Sequence, residues 1–182
     1  MLNISVARRY AEAFFNIARE SNKVDEYQQE LELVVETIKK VENLEQYFAH
    51  LLIPVNEKKA VIDKIFADKI SPVTLNFIKV VVDKRREAYL SAITEQYIEM
   101  ADEFRSIAKL DFITAVEVSK KDVQFLAERL SKSTGKKIQL RLQVDPTLIG
   151  GVRLRMGDQI IDGSVANKLQ RIKEKLKQAS IS

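Results

Sequence analysis

A glycine-rich run near the C-terminus contains the residues that could bind a phosphate or a metal ion. The run Gly150–Ser164 reads GGVRLRMGDQIIDGS and holds four of the five glycines of the chain, together with Asp158 and Asp162. Glycines ahead of a helix could cradle a phosphate, and paired carboxylates could ligate a metal ion. The run lacks the G-x-G-x-x-G spacing, and Gly135 with its two following lysines lacks the remaining parts of a P-loop. Because hairpin turns and helix starts both favour aspartate, we predict structural aspartates, no metal site and no cofactor.

The sequence also lacks candidate residues for nucleophilic or acid–base catalysis. Its 182 residues include no cysteine and a single histidine, His50, which stands beside a predicted loop without clustered carboxylates around it. The lack of cysteine excludes thiol nucleophiles and thiolate metal ligands. A lone histidine next to a loop is typical of a surface or capping residue. We therefore predict no catalytic residues and a protein that is not an enzyme.

The elements that carry these residues fall into two unlike regions. The first 134 residues contain no glycine, and up to about residue 108 the apolar residues recur at helical spacing. This pattern predicts six helices with short connections, which is typical of a helix bundle. Asn56 is the expected cap of the fourth helix, and Ser71 followed by Pro72 is the expected cap and first turn of the fifth.

From Leu110 onward the period changes to an alternation of apolar and polar residues, which indicates strands. Ser119 with Asp122 predicts a helix start, and Gly135 predicts the end of that helix. Two later strands are expected to meet at a hairpin turn of Gly157 and the following aspartate. The predicted order of this region is β-α-β-β-β-α. The fold class is therefore α+β, with a six-helix bundle followed by a small α/β domain.

The two predicted domains, residues 1–105 and 106–182, differ in charge. The first carries 15 Lys and Arg against 18 Asp and Glu, a net charge of −3, whereas the second carries 15 against 8, a net charge of +7. This asymmetry indicates two different partners. The sequence shows no signal-peptide pattern and no apolar stretch long enough to span a bilayer. Any association with a membrane is therefore expected to be indirect.

Two predicted helices have apolar faces that are wider than one bundle contact requires. With residues placed at about 100° intervals, the apolar arc covers about 200° on the first helix and about 220° on the fifth. Two interpretations remain open. Helix five could be the buried centre of the bundle, with helix one covered by two neighbours. Alternatively, helices one and five could form a groove that accepts an amphipathic helix of another protein.

The final helix shows the opposite pattern, a narrow apolar seam of about 60° among basic residues. The seam consists of Val165, Leu169, Ile172 and Leu176, and the surrounding basic residues are Lys168, Arg171, Lys173, Lys175 and Lys177. The seam could pack on the small sheet while the basic residues face water. Alternatively, the basic faces could meet an acidic or helical partner.

Two segments of the chain carry a resemblance to a known family. The stretch Asp145–Leu176, with its double glycine, GD and DGS elements, is similar to the signature of the delta subunit of bacterial rotary ATP synthases. The mitochondrial counterpart of that subunit is the oligomycin-sensitivity-conferring protein. The stretch Val6–Ala18 resembles the first helix of the same family, and length and domain order agree over the whole chain. Arg153 and Arg155 stand where the family pattern favours more apolar residues.

The resemblance implies a non-catalytic stator subunit of a proton-translocating rotary ATP synthase, peripheral on the cytoplasmic face of the cell membrane as part of that complex. In this family the groove between helices one and five holds the N-terminal helix of an alpha subunit, and the small domain meets the C-terminal helix of the b subunit. The positions implied for the alpha subunit are Tyr10, Ala13, Phe14, Ile17, Ile78, Val81 and Val82. The positions implied for the b subunit are Lys168, Arg171 and Lys175.

The residues by themselves leave two other functions open. The basic second domain could make the chain an RNA-binding or ribosome-associated adaptor. The sequence has no basic strand studded with aromatic residues and no recognised RNA motif, so we predict no nucleic-acid partner. An unrecognised hydrolase or transferase would need a constellation of polar residues that the sequence does not contain.

Overall fold

The computed structural model describes residues 4–156 and 159–179, with the side chains of Lys120 and of residues 174–179 outside the described set. Contacts divide the chain into two compact units, Met1–Phe104 and Arg105–Ser182. The fold is α+β, as the sequence predicts. The expected hairpin turn at Gly157 and Asp158 lies outside the described residues.

The first unit is entirely helical over its described residues. It contains a short 3₁₀ turn, Glu87–Tyr89, and six α-helices: α1 Ile4–Glu20, α2 Val24–Lys40, α3 Leu44–Ala49, α4 Val55–Phe66, α5 Pro72–Asp83 and α6 Leu90–Phe104. Helix α5 starts as predicted, because the Ser71 hydroxyl accepts a hydrogen bond from the Thr74 backbone N–H and Pro72 occupies the first turn. The prediction for α4 was wrong. Pro54, in an extended conformation, directly precedes the helix, so Asn56 lies inside it.

Two buried clusters form the core of this unit. The first joins α1, α2 and α6 through a set that includes Ala7, Ala11, Phe14, Tyr27, Leu31, Ile93 and Tyr97. The second joins the four helices α2, α3, α4 and α5 through a set that includes Val34, Phe48, Ile62, Phe66, Ile78 and Val82. The small side chains at Ala7 and Ala11 allow α1 and α6 to approach closely, since a helix pair packs at a distance set by the side chains at the contact.

Polar contacts inside the first unit join helices that are distant in sequence. The Glu30 carboxylate of α2 accepts hydrogen bonds from the Ser71 N–H at 2.7 Å, from the Ser71 hydroxyl at 2.8 Å and from the Thr74 hydroxyl. Helix α2 therefore caps the start of α5. A buried ion pair between Lys58 and Glu87 joins α4 to the 3₁₀ turn, with side chains only 4% and 8% exposed.

In the part of the second unit that the structure describes there are four strands and two α-helices. The elements are β1 Ile107–Thr114, α7 Lys120–Thr134, β2 Lys137–Val144, a 3₁₀ turn Pro146–Leu148, β3 Val152–Met156, β4 Gln159–Asp162 and α8 Val165–Ala179. The sheet order is β2-β1-β3-β4, with β1 parallel to β2 and antiparallel to β3, and β3 antiparallel to β4. Helix α7 packs on β2, and Leu110, Phe112 and Ile138 are buried.

Local signals in the second unit act as the sequence predicts. The Ser119 hydroxyl accepts a hydrogen bond from the Asp122 N–H at the start of α7, and Gly135 ends that helix at a φ of +69°. Gly151 has a φ of +77°, and a Cβ built there would lie 2.5 Å from the Gly163 carbonyl oxygen. Only glycine fits this position, because the backbone before β3 passes directly against the backbone before α8.

Candidate interaction surfaces

Helix α1 has a buried face and an adjacent exposed apolar stripe. Ala7, Ala11, Phe14 and Ala18 are completely buried. Tyr10 is half-buried, Ala13 is exposed, and Ile17 is 45% exposed. The wide apolar arc of this helix therefore contains more surface than the rest of the unit covers.

Helix α5 shows the same division. Thr74, Ile78, Val81 and Val82 face the core and are at most 1% exposed, whereas Val73 is 39% and Val80 is 48% exposed. One side of this helix is therefore a core face, and another side presents apolar surface to solvent.

Four of the seven residues that the resemblance implies for contact with an alpha subunit are buried in the isolated chain. Phe14, Ile78, Val81 and Val82 are at most 1% exposed, so their side chains belong to the core of the unit. The Phe14 ring, for example, stacks on Tyr27 at 5.4 Å and on Phe77 at 4.2 Å between ring centroids. All four side chains belong to the two buried clusters that join the helices of this unit.

A contact between two aromatic rings links the exposed stripes of the two helices. At about 100° per residue, Phe14 lies between the buried face and the stripe of α1, and Phe77 lies between the same two zones of α5. The stacked contact between these rings thus joins the inner edges of the two stripes. We call this set of exposed residues, together with the half-buried Tyr10, the α1–α5 surface. It consists of Tyr10, Ala13, Ile17, Val73 and Val80.

One end of the α1–α5 surface contains a pocket of about 310 Å³. Its lining consists of Val6, Arg9, Tyr10, Ala13 and Arg86. Arg86 follows the C-terminal end of α5, whereas the other residues belong to the first ten residues of α1. Together with the Phe14–Phe77 contact, this places α1 and α5 antiparallel to each other.

The sequence did not identify Val73, Val80 and Arg86 as surface residues. Both valines belong to the predicted apolar arc of α5, which gave no information about the side that neighbours would cover. Arg86 lies in the connection after α5, where helical periodicity makes no prediction. The useful signal was the width of the arc rather than any single residue in it.

Helix α8 presents a second candidate surface, in the second unit. Lys168 and Arg171 are exposed, and the side chain of Lys175 lies outside the described residues. In the seam between them Val165 is 38%, Leu169 is 53% and Ile172 is 54% exposed. These three residues of the seam are therefore only partly covered, and each keeps more than a third of its surface exposed to solvent.

The start of α8 is fixed by Asp162 at the end of β4. One carboxylate oxygen accepts a hydrogen bond from the Ser164 N–H at 2.9 Å, and the other accepts one from the Arg153 guanidinium at 2.9 Å. Hydrogen bonds from Ser164, with the Arg153 charge adding to them, hold the pKa of Asp162 below its ordinary value. Arg153 thus has a structural role at a position where the family pattern favours an apolar residue. Asp162 is a structural aspartate, as predicted.

A second carboxyl group with a lowered pKa, that of Asp145, lies between β2 and β3. The Thr147 hydroxyl and backbone N–H donate hydrogen bonds to one oxygen of Asp145, at 2.6 Å and 3.0 Å. These bonds lower the pKa of Asp145. The interaction stabilises the turn that brings the chain from β2 to β3.

The sheet of the second unit also carries an apolar groove of about 220 Å³ beside α7. Its lining includes Leu110, Leu130, Ile138, Leu154, Met156 and Ile161. Met156 is 47% and Ile161 is 70% exposed, because α7 packs on β2 and leaves the side of β3 and β4 open.

Within residues 4–156 and 159–179, no group of three or more His, Cys, Asp or Glu side chains lies together in a way that could hold a metal ion. The His50 ring accepts a hydrogen bond from the Leu52 N–H at 3.4 Å in an exposed loop. Among the described helices, none has the length and apolar character needed to cross a membrane.

The architecture and the exposed apolar helix faces define an α+β protein of two units with surfaces typical of protein–protein contacts. The sequence model of the family described as ATP synthase delta (OSCP) subunit matches residues 6–176. The chain therefore belongs to the ATP synthase delta (OSCP) subunit family. It is a structural subunit of the peripheral stalk region of an F-type ATP synthase and is not itself catalytic.

Individual relatives agree over nearly the whole chain. The ATP synthase subunit delta of Syntrophomonas wolfei is 57% identical over 182 residues, which is 100% of both chains. The subunit delta of Desulforamulus reducens is 40% identical over 176 residues, which is 97% of both chains. A chain in the mitochondrial ATP synthase hexamer of Toxoplasma gondii has a TM-score of 0.71 at 21% identity, covering 93% of this chain and 96% of that one. This likeness shows that the fold is shared.

Proposed function

We propose that this chain connects the catalytic head of a proton-translocating rotary ATP synthase to its peripheral stalk. In this proposal the first unit binds the N-terminal helix of an alpha subunit, and the second unit binds the C-terminal helix of the b subunit. The chain would then lie at the cytoplasmic face of the cell membrane, attached through the complex. The connection resists torque, since the rotor would otherwise turn the head with it.

The α1–α5 surface is the observation that carries this proposal. It presents exposed apolar side chains on both helices, Ala13 and Ile17 on α1 and Val73 and Val80 on α5, which suits the apolar face of a single helix. The small side chain of Ala13 permits close approach, and Tyr10 supplies aromatic contact area near the pocket. Phe14, Ile78, Val81 and Val82 support the surface from below as part of the core.

The proposed contact with the stalk uses α8. Leu169 and Ile172 provide an exposed apolar centre, and Lys168 and Arg171 provide positive charge beside it. Lys175, one turn after Arg171, extends this basic face in the sequence. A partner helix with an apolar stripe and acidic flanks would be complementary to this arrangement.

The test of the head contact is an Ala13→Glu substitution in the full chain. Ala13 is exposed, so the fold should survive, while a buried carboxylate in the interface should weaken binding of the alpha N-terminal helix at least about a hundredfold. Isothermal titration calorimetry measures the affinity. Asn16→Glu is the matched control, because it adds the same charge at an exposed position of α1 outside the stripe. Unchanged affinity of Ala13→Glu would remove the head contact from the proposal.

The stalk contact is tested with the paired substitution Lys168→Glu and Arg171→Glu. Reversing two charges next to the seam should weaken binding of the C-terminal helix of the b subunit and change its dependence on salt. Lys121→Glu with Lys132→Glu makes the same charge change on the exposed part of α7 and should leave binding unchanged. Equal loss in both pairs would indicate a general charge effect instead of a site on α8.

A further inference from the structure

The pocket at one end of the α1–α5 surface has a positive rim without a negative partner. Arg9 and Arg86 line it, and within the described part of the chain neither guanidinium forms an ion pair or a hydrogen bond. The Arg86 guanidinium lies 5.5 Å from the ring centre of Tyr89, which keeps this side chain near the surface of the unit. The two carboxylates closest to Arg86 in sequence are already occupied, since Asp83 pairs with Lys59 and Glu87 pairs with Lys58.

The two ends of the α1–α5 surface differ in their charged side chains. Lys84 and Arg85 are exposed next to Arg86, so three basic side chains follow the end of α5. The ends of α1 and α5 that meet here carry opposite partial charges, so the positive charge comes from the side chains. At the other end of α1, the exposed Glu20 lies among the exposed basic residues Arg19 and Lys23.

We propose that the helix docked on the α1–α5 surface places an acidic side chain between Arg9 and Arg86, near its own C-terminal end. The apolar floor of Val6, Tyr10 and Ala13 accepts the methylene groups of that side chain, and the two guanidinium groups bind its carboxylate. A helix C-terminus carries partial negative charge, so the docked helix runs antiparallel to α1. This inference rests on the proposed binding of a helix from the head and adds its chemistry and direction.

The recognition of the acid is tested by charge reversal with a matched control. The probe is the N-terminal helix of the alpha subunit from the same synthase, as a peptide with an amidated C-terminus so that its terminal carboxylate cannot substitute for a side chain. Arg9→Glu with Arg86→Glu should weaken binding at least about tenfold at low salt and flatten the salt dependence of Kd. Arg8→Glu with Arg19→Glu makes the same charge change on the opposite exposed face of α1 and should stay within about twofold.

A charge swap identifies the acidic residue. Each Asp or Glu of the peptide is replaced in turn by Lys, and one such peptide should regain affinity for the Arg9→Glu, Arg86→Glu variant while losing it for the natural chain. Restoration at a position in the last turns of the peptide helix supports the proposal. Restoration at the first turn, or at no position, overturns it.

The direction of the docked helix is measured separately. The chain contains no cysteine, so Lys84→Cys and Glu20→Cys each provide a single labelling site, one at either end of the surface. Energy transfer to a dye at the C-terminus of the peptide should be stronger from position 84 than from position 20. The reverse order overturns the proposed direction.

These outcomes separate failure of the inference from failure of the proposed function. If Ala13→Glu abolishes binding while the Arg9→Glu, Arg86→Glu variant binds normally, the head contact stands. The proposed binding of an acidic side chain between Arg9 and Arg86 is then wrong. If Ala13→Glu also binds normally, the helix docks elsewhere and both proposals fail.

Discussion

A buried ion pair between Lys58 and Glu87 connects two parts of the helical unit. Lys58 is 3% exposed, its ammonium group donates to the Phe48 carbonyl oxygen, and it pairs with Glu87. One oxygen of the Glu87 carboxylate has no hydrogen-bond partner among the described residues. This carboxylate therefore depends heavily on Lys58 for compensation of its charge.

We predict that Lys58→Met destabilises the protein by about 3–5 kcal/mol, because it leaves the Glu87 carboxylate buried without its partner. Urea unfolding followed by circular dichroism measures the loss. Lys59→Met is the control, because Lys59 pairs with Asp83 in a partly exposed position and should cost about 0–1 kcal/mol. Similar losses for the two lysines would contradict the importance of burial at Lys58.

At the scale of elements, the position of α5 depends on α2 as well as on its own cap. The Glu30 carboxylate binds the Ser71 N–H and hydroxyl and the Thr74 hydroxyl, so both helices share one polar cluster. This contact fixes the helix that carries Val73 and Val80. The second unit has a comparable device, in which Asp162 joins the end of β4 to the start of α8.

Glu30→Gln should destabilise the first unit by about 1–3 kcal/mol, since the amide retains one acceptor but loses the charge that strengthens the hydrogen bonds. Chemical denaturation gives the free energy, and amide hydrogen exchange should show faster opening in the first turn of α5. Glu32→Gln is the control on the same helix, since Glu32 is exposed and accepts only from Gln28 in the described structure. Equal exchange rates in the two variants would argue against the cap.

The pH dependence of the second unit should follow Asp162. Its pKa in the folded chain is lowered by Ser164 and Arg153, so the bound carboxylate stabilises the fold above its unfolded pKa of about 4. This contribution decreases as the pH falls below about 4 through the folded pKa. The difference in stability between the natural chain and Asp162→Asn should therefore be full at pH 7 and shrink toward pH 3.

Urea titrations followed by NMR signals of β3, β4 and α8 measure this difference at each pH. Glu128→Gln removes an exposed carboxylate of α7 that makes no ion pair or hydrogen bond within the described chain, and serves as the control. A difference between the natural chain and Asp162→Asn that stays constant from pH 7 to pH 3 would rule out the proposed linkage.

At the scale of the whole molecule, the proposed function depends on two separate surfaces on one chain. Each contact is proposed to have only modest affinity. Once one contact has formed, however, the second partner lies at high effective concentration. Slow release from the synthase therefore requires no exceptional affinity at either surface.

We expect Ala13→Glu alone, or Lys168→Glu with Arg171→Glu alone, to speed release from the assembled synthase by roughly 10²- to 10⁴-fold. The combined variant should not be retained at all. Dissociation of a fluorescently labelled chain from purified complexes measures these rates. If the combined variant is released no faster than either of the others, the two surfaces do not act as separate contacts.

The sequence predicted the class of the fold and most of its local signals from short-range physics. Ser71, Ser119 and Gly135 act at the helix ends where they were expected, because capping depends on residues within one turn. The cap at Asn56 was wrong, since Pro54 starts the helix earlier. The excess width of the apolar arcs on α1 and α5 was also visible in the sequence, and exposed apolar residues are present on both.

What the sequence alone determined is therefore the α+β class, the family and the two helices with surplus apolar surface, because periodicity and motifs are properties of neighbouring residues. Only the tertiary structure decided which part of each arc is covered. It placed Phe14, Ile78, Val81 and Val82 in the core and left Val73 and Val80 exposed. It also brought Arg9 and Arg86 to one pocket. Burial depends on neighbours that are distant along the chain, and helical spacing carries no information about which helices those are.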